Sequence, residues 1–402
     1  MLEINEVNFP DEKFKEYISD TFDTDKKGYF TNQEVEKIEE IDVCYERDVK
    51  SLKGIEFFPN LVRLECEYTD IAELDVTKNL KLEKLHCNDT RITNLDISGC
   101  TELTHLYCQN TGITELDLSN NLALKELDCS YTLIQALDVS NNLTLVSLHC
   151  GDTEITTLDV SKNSVLTWLY CHNTGITSLD VSKNKELKFL NCIDNPQITS
   201  LDVSNNPKLT DLCCACTGIT SLDLIDNKQL EYLNCNDSPQ LTNLDVSKNT
   251  ALISLDCSDT GITELDVSNN PSLKWLHCSK TDITSLDVSK NLLLKELGCY
   301  NTGILNLNVI NNSKLESLDC HGIGITELDI SKNLVLKELH CANTGIANLD
   351  ISNNPTLNVF GNKDLSIIKE SDSIQDKIIQ AKENLTNKQK DTKEVKSKEK
   401  ER

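Results

Sequence analysis

The chain has 402 residues, with 65 Asp or Glu against 39 Lys or Arg, for a formal charge of −26. That charge repels phosphate backbones and anionic lipid, so nucleic acid is excluded as a partner, and no apolar run reaches the 18 or so residues that membrane insertion needs. Length alone suggests two or three globular domains, yet Leu, Asn, Asp, Thr and Cys recur at fixed intervals, so internal repeats are the first hypothesis.

In chain order, the N-terminus reading Met1-Leu2-Glu3-Ile4-Asn5 has neither a basic region nor an apolar core. No secretory signal is visible there. Phe14, Tyr17, Ile18 and Phe22 are spaced for one amphipathic helix. Asp23 to Glu34 is then similar to an EF-hand loop, with Asp23, Asp25 and Glu34 at its carboxylate positions, Gly28 at its glycine and Thr31 as a further oxygen. Lys27 stands where another oxygen ligand belongs. A helix-loop-helix cap over 1–40 is predicted, with Asp23, Asp25, Thr31 and Glu34 as weak calcium candidates and no resident cofactor.

The body of the chain is a repeat. Fourteen of 18 cysteines, from Cys66 to Cys341, follow one another at steps of 21 residues, two of them lengthened to 22. Each lies in the frame Leu-x-x-Leu-x-Cys-x-x-Thr-x-Ile-Thr-x-Leu-Asp-Val-Ser-x-Asn. In Leu64-Glu65-Cys66, strand alternation sends Leu64 and Cys66 to one face and Glu65 to the other. The cysteines therefore read as a column of small buried hydrophobes, since neighbouring strands about 4.8 Å apart do not suit the Cβ separation of about 3.8 Å that a disulfide needs. Leu61, Leu64, Cys66, Ile71, Leu74 and Val76 complete one coil, and Leu82, Leu85, Cys87, Ile92, Leu95 and Ile97 the next. Ile38, Ile41 and Val43 repeat the strand pattern one step earlier.

Three polar columns accompany these. Thr69, Thr90 and Thr111 stand at one bend, where a hydroxyl can bond backbone groups. Asn79, Asn121 and Asn142 form a second column, which Cys100 interrupts. Asp75, Asp96 and Asp117, each followed two residues later by Ser or Thr, form a third and read as turn caps. In mid-array, Asn195-Pro196 and Ser238-Pro239 each follow a Cys with one residue added and replace the column Thr, which suggests a bulge. Between them stands Cys213-Cys214-Ala215-Cys216, whose adjacent thiols should point apart. Near the end, Phe360 and Asn362 are expected in the Leu and Cys positions. The solenoid should run over 41–368 in 15 to 16 coils. Ile374, Ile378, Ile379 and Leu385 then suggest a short helix within 369–402, followed by a charged, disordered tail.

Residues flanking the inward Leu and Cys should face solvent on the strand side. All seven histidines and both tryptophans fall at those positions. A wide aromatic strip on a soluble protein marks a binding surface, and Trp and Tyr dominate interface hot spots. The ligand-binding candidates are His105, Tyr107, His149, Trp168, Tyr170, His172, Phe189, Tyr232, Trp275, His277 and Tyr300. Two patches are expected, one of Trp168, Tyr170, His172 and Phe189, the other of Trp275, His277 and Tyr300. The histidines lack the close pairing and third ligand of a zinc site. No nucleophile, base and orienting residue converge, so no enzyme is expected.

The repeat length, the cysteine column and the Asp-Val-Ser-x-Asn corner together resemble bacterial leucine-rich repeat proteins of the internalin class over about residues 41–365. The resemblance implies an α/β repeat fold: a right-handed solenoid, mostly parallel β, with short extended or 3-10 segments on its convex side. It also implies a monomer outside the cell or on its surface, capturing a protein or glycoprotein on the concave face. A cytoplasmic or injected interaction module is the alternative, because no export signal is visible.

Overall fold

The computed structural model describes residues 1–369 and divides into two compact units, residues 1–262 and residues 263 onward. The helix and tail expected within 370–402 lie outside the described residues.

In the first unit the cap forms where the sequence places it. Strand β1 (Leu2–Glu3) pairs antiparallel with β2 (Tyr29–Phe30), around helix α1 (Glu12–Phe22) and just before α2 (Asn32–Val35). Asp11 caps α1 by accepting the Phe14 amide at 3.0 Å. Its other oxygen accepts Lys50 N and Ser51 N, at 2.8 and 3.1 Å, and so ties the helix start to the first coil. Phe14 and Ile18, one turn apart, are buried. Rings of Phe9, Phe14, Phe30 and Phe58 pack at centroid distances of 6.0 to 6.5 Å and cover the open end of the repeat core. Gly54 is required in this packing: its φ is +114°, and a Cβ there would sit 2.4 Å from the Phe9 ring.

The coils follow as parallel strands β3 (Glu40–Asp42), β4 (Arg63–Glu65), β5 (Lys84–His86), β6 (His105–Tyr107), β7 (Glu126–Asp128) and β8 (Ser147–His149). They continue as β9 (Trp168–Tyr170), β10 (Phe189–Asn191), β11 (Asp211–Cys213), β12 (Tyr232–Asn234) and β13 (Ser254–Asp256). Each pairs with the next so that the central residue of each triplet, Leu in ten of the eleven strands, stacks on the next while its two neighbours face outward. The six inward residues of the Cys66 coil are all buried, at roughly 1.5–3 kcal/mol each. Cys66 Sγ donates to the His86 carbonyl at 3.2 Å, one coil on. Burial pushes the Cys87 thiol up to about 12, which is the behaviour of an apolar side chain and not of a reactive thiolate.

The polar columns have distinct bonds. Thr69 and Thr90 Oγ1 donate to the Cys66 and Cys87 carbonyls, each at 2.7 Å, and close the bend after the strand. Each column Asn is fully enclosed, and its Nδ2 reaches back one coil: Asn142 donates to Leu118 O and Asn121 O, Asn163 to Val139 O and Asn142 O. At the interruption Cys100 Sγ makes one long contact, 3.4 Å to Val76 O. The turn closes inward there, since a Cβ on Gly99 would lie 2.3 Å from Thr77 O. The aspartates cap turns: Asp75 Oδ1 accepts Thr77 N and Oγ1, and Asp117 Oδ1 accepts Ser119 N. These bonds hold their carboxyls below the ordinary value.

The proline insertions are not strand bulges. Register runs without offset through β9, β10 and β11 and through β11, β12 and β13. The extra residue is absorbed in the following turn, where Ile198 N donates to Asn195 O. Asn195 replaces Thr because an amide serves that bend more fully than a hydroxyl. Its Nδ2 donates to the Cys171 and Cys192 carbonyls, and its Oδ1 accepts Thr174 Oγ1 at 2.8 Å.

The second unit carries the same coil in β14 (Trp275–His277), β15 (Glu296–Gly298), β16 (Ser317–Asp319) and β17 (Glu338–His340). On the opposite side, β18 (Asn348–Asp350) pairs with β20 (Ser366–Ile368), while β19 (Asn358–Phe360) joins β17. The expectation for Phe360 and Asn362 fails here. Val359 pairs with Leu339 and Phe360 with His340, so Phe360 points outward and is 53% exposed. Leu339 to Val359 is one residue shorter than the repeat, which a uniform 21-residue step cannot reveal.

Candidate functional site

The three-residue strands place the binding candidates on the outward face of each unit's sheet. In the first unit the geometry sorts them into groups. Tyr107 and His105 flank the inward Leu106 of β6 and both turn toward Glu126 on β7. The Tyr107 hydroxyl donates to the Glu126 carboxylate, and His105 Nε2 lies 3.7 Å from its other oxygen. Tyr107 also meets His86 edge-on at 4.7 Å. Partial burial lowers the His105 pKa and raises that of Tyr107.

A continuous aromatic run crosses β8, β9 and β10. The Tyr170 ring lies between His149 at 4.1 Å and Phe189 at 4.5 Å. His149 is bonded to Ser147 Oγ at 3.1 Å, and burial lowers its pKa. Trp168, in register between Ser147 and Phe189, leaves 41% of its surface exposed beside this run. His172 belongs to the neighbouring bend: its Nε2 is 3.0 Å from Asp152 Oδ2. Its ring lies flat over Gly151, where a Cβ would come within 2.4 Å. Tyr232 on β12 is 40% exposed, between Asp211 and Ser254 in register.

In the second unit the expected patch divides. Lys274 Nζ stands 5.9 Å over the Trp275 ring, and His277 Nε2 lies 3.7 Å from Glu296 Oε1. His277 leans across Gly298, which provides the room. Tyr300 instead stacks on His321 at 4.5 Å, with planes 11° apart, and His321 is held by Asp319 at 2.7 Å. A hollow of about 370 Å³ beside Trp275 is lined by Lys295, Glu296, Glu316, Ser317, Lys337 and Glu338. Phe360, outward where the repeat frame predicts an inward side chain, stacks on His340 at 4.4 Å.

A further column was missed. The second residue after each column Cys has a left-handed φ, from Tyr68 (+58°) and Asp89 (+55°) to Asn343 (+55°). Asp and Asn tolerate that conformation, and their dominance at this position was the available signal. Tyr45 and Tyr68 occupy it in successive coils and stack at 4.8 Å, both exposed. Cys216 sits there too, in a groove of about 440 Å³ with Asp194, Pro196, Asp237 and Pro239. Burial raises both Cys213 and Cys216 to about 11, so neither is an activated nucleophile.

The EF-hand-like loop is already occupied by its own lysine. Lys27 Nζ lies 2.9 Å from Asp25 Oδ2 and 3.0 Å from Glu34 Oε1. The other Glu34 oxygen accepts Thr31 N and Oγ1, which completes a capping box and holds that carboxyl at about 2. Both Asp23 oxygens accept loop amides, Lys27 N at 3.0 Å and Gly28 N at 2.7 Å.

Stacked short parallel strands with asparagine, threonine and cysteine columns define a leucine-rich repeat solenoid. The family described as leucine-rich repeats in two copies matches residues 80–122. The functional domain of internalin J from Listeria monocytogenes, which includes a cysteine ladder, is 30% identical at TM-score 0.58, over 87% of this chain and 82% of that one. A leucine-rich repeat protein from Leptospira interrogans has TM-score 0.75 at 18% identity, over 86% and 94% of the two chains. Internalin F from Listeria monocytogenes has TM-score 0.59 at 22% identity, over 92% and 97%. Among curated proteins no sequence matches. The chain belongs to the internalin class of leucine-rich repeat proteins, in its cysteine-ladder form. Among the described residues no helix is long and apolar enough to cross a membrane.

Proposed function

We propose that this protein is a non-enzymatic binding protein that captures a protein or glycoprotein on its strand face, in the manner of an adhesin. The observation that carries this reading is the run His149–Tyr170–Phe189 with Trp168 exposed beside it. Stacked rings are held in place before any ligand arrives, so little side-chain entropy is lost on contact. Carboxylates of Glu126, Asp128 and Asp211 border the run on β7 and β11. With a net charge of −26, they favour a partner that brings Lys or Arg around an apolar centre. The raised thiols of Cys213 and Cys216 and the carboxylates engaged in turn caps support a surface without catalytic chemistry. Export to the cell surface is part of the proposal and rests on family membership.

The test is a screen of glycans and host-surface proteins with wild type, Trp168→Ala and Trp275→Ala. Both variants should melt within a degree or two of wild type, because their rings are partly solvent-exposed. Each should weaken capture by roughly tenfold or more, as loss of a hot-spot aromatic does. Normal capture by both variants, with loss on changing the opposite side of the coils, would refute the strand-face reading.

A further inference from the structure

The one cysteine of the strand face of the first coils, Cys44, lies outside the buried column, whose place in its coil is taken by Val43. Its surroundings follow from the register of the repeat. Asp42 on β3 pairs with Glu65 on β4, and Glu65 pairs with His86 on β5. Cys44 and Glu67 are the residues after the inward Val43 and Cys66 of successive coils. Strand spacing alone therefore brings a thiol, three carboxylates and an imidazole onto one small area. Ligating atoms of Asp42, Cys44 and Glu65 all lie within 4.8 Å of one another, which no other three Cys, His, Asp or Glu residues achieve among the described residues. His86 Nδ1 is 3.6 Å from Glu65 Oε1.

Beside these three residues Glu67 Oε2 is enclosed and, like the Oδ1 atoms of the column asparagines, has no hydrogen-bond donor, so a cation or bound water facing it would offset a cost. Arg63, whose Nε and Nη2 both donate to Glu65 Oε1, supplies the only cationic side chain among these contacts and is the group a metal would displace from that oxygen.

We propose that Asp42, Cys44, Glu65 and His86 form a zinc site on the first coils, with Glu67 beside it to accept from a metal-bound water. A thiolate with imidazole and carboxylates is a borderline donor set that suits zinc, whereas calcium and magnesium take oxygen alone. Asp42, Cys44 and Glu65 already lie within reach of one ion, and His86, 3.6 Å from Glu65 Oε1, would complete four-coordination by turning toward it. Binding exchanges the Cys44 proton for the metal and releases it to solvent.

Untagged, reduced, chelator-stripped protein would be titrated with Co²⁺ and then Zn²⁺. One equivalent of cobalt should give a thiolate-to-metal charge-transfer band in the near ultraviolet, which zinc then bleaches. Cys44→Ser should abolish the band. Asp42→Asn should weaken zinc binding by about tenfold or more, with unchanged circular dichroism in both variants. Replacing Cys213 and Cys216 together by Ser should leave band and affinity as in wild type. The proposal is overturned if no band forms, if the band survives Cys44→Ser, or if it disappears only with Cys213 and Cys216.

Discussion

Asn163 offers the sharpest test of what holds the coils together. Its side chain is fully enclosed, and its Nδ2 donates to Val139 O at 3.0 Å and Asn142 O at 2.9 Å in the preceding coil. Both carbonyls keep a second donor, Asn142 N and Leu145 N, so removing the amide does not orphan them. Two net hydrogen bonds at about 0.5–1.5 kcal/mol each, with a small cavity added, make Asn163→Ala about 2–4 kcal/mol destabilising. Cys100→Ala, in the same column, removes only one 3.4 Å sulfur contact and should cost about 1 kcal/mol. Asn163→Asp should be worse than Ala near neutral pH, since it aims a carboxylate at two carbonyls. Its cost should ease in acid, where the protonated form can donate. Urea unfolding followed by circular dichroism gives the global cost. Hydrogen exchange at the Asn163 and Leu166 amides gives the local one, because a repeat array need not unfold as one unit. The reasoning is refuted if Asn163→Ala falls within about 0.5 kcal/mol of wild type or costs no more than Cys100→Ala.

Other outcomes follow from the same geometry. Calorimetry should find no calcium binding to the N-terminal loop tighter than about 10⁻⁴ M, and Lys27→Asp, which frees Asp25 and Glu34, should tighten it by about tenfold or more. Micromolar binding by the wild type would contradict the Lys27 arrangement. The turn-capping aspartates, Asp117 and Asp138 among them, have folded pKa values below the ordinary 3.8. Their stabilisation is therefore complete above about pH 4 and is lost as pH falls through the depressed values, so acid unfolding should begin only below about pH 4. An acid transition centred near pH 5 would not fit. Thiol labelling of the native, metal-free protein should be confined to Cys44, Cys213 and Cys216, and slow even there because those thiols are held protonated, and should reach nearly all 18 cysteines after denaturation. Several disulfides in freshly purified protein would contradict the buried column.

Much of this molecule is legible without coordinates, because a repeat carries its own register. The 21-residue step, the alternation in Leu64-Glu65-Cys66 and the turn residues each report a local constraint. Stacking identical coils converts those constraints into columns, so inward leucines, buried cysteines and outward aromatics could be assigned one residue at a time. The Asp caps and Thr bends were equally local, since each bonds within three residues of itself.

What needed the tertiary structure lies where a bond spans coils or the step changes. The Asn column donates to carbonyls 21 to 25 residues back, a partner that spacing alone does not name. The shortened last step turned Phe360 outward against His340, and the proline insertions went into turns because the strand ladder tolerates no offset. Tyr300 found His321 and not Trp275, since ring contacts depend on side-chain direction as well as strand order. Lys27 entered the loop as its cation only because folding brought Asp25 and Glu34 to its ammonium. Where the step is uniform, sequence determined which face a residue occupies, since a strand has period two. Which residues on that face touch was decided by packing between coils, where a shift of one residue changes every neighbour.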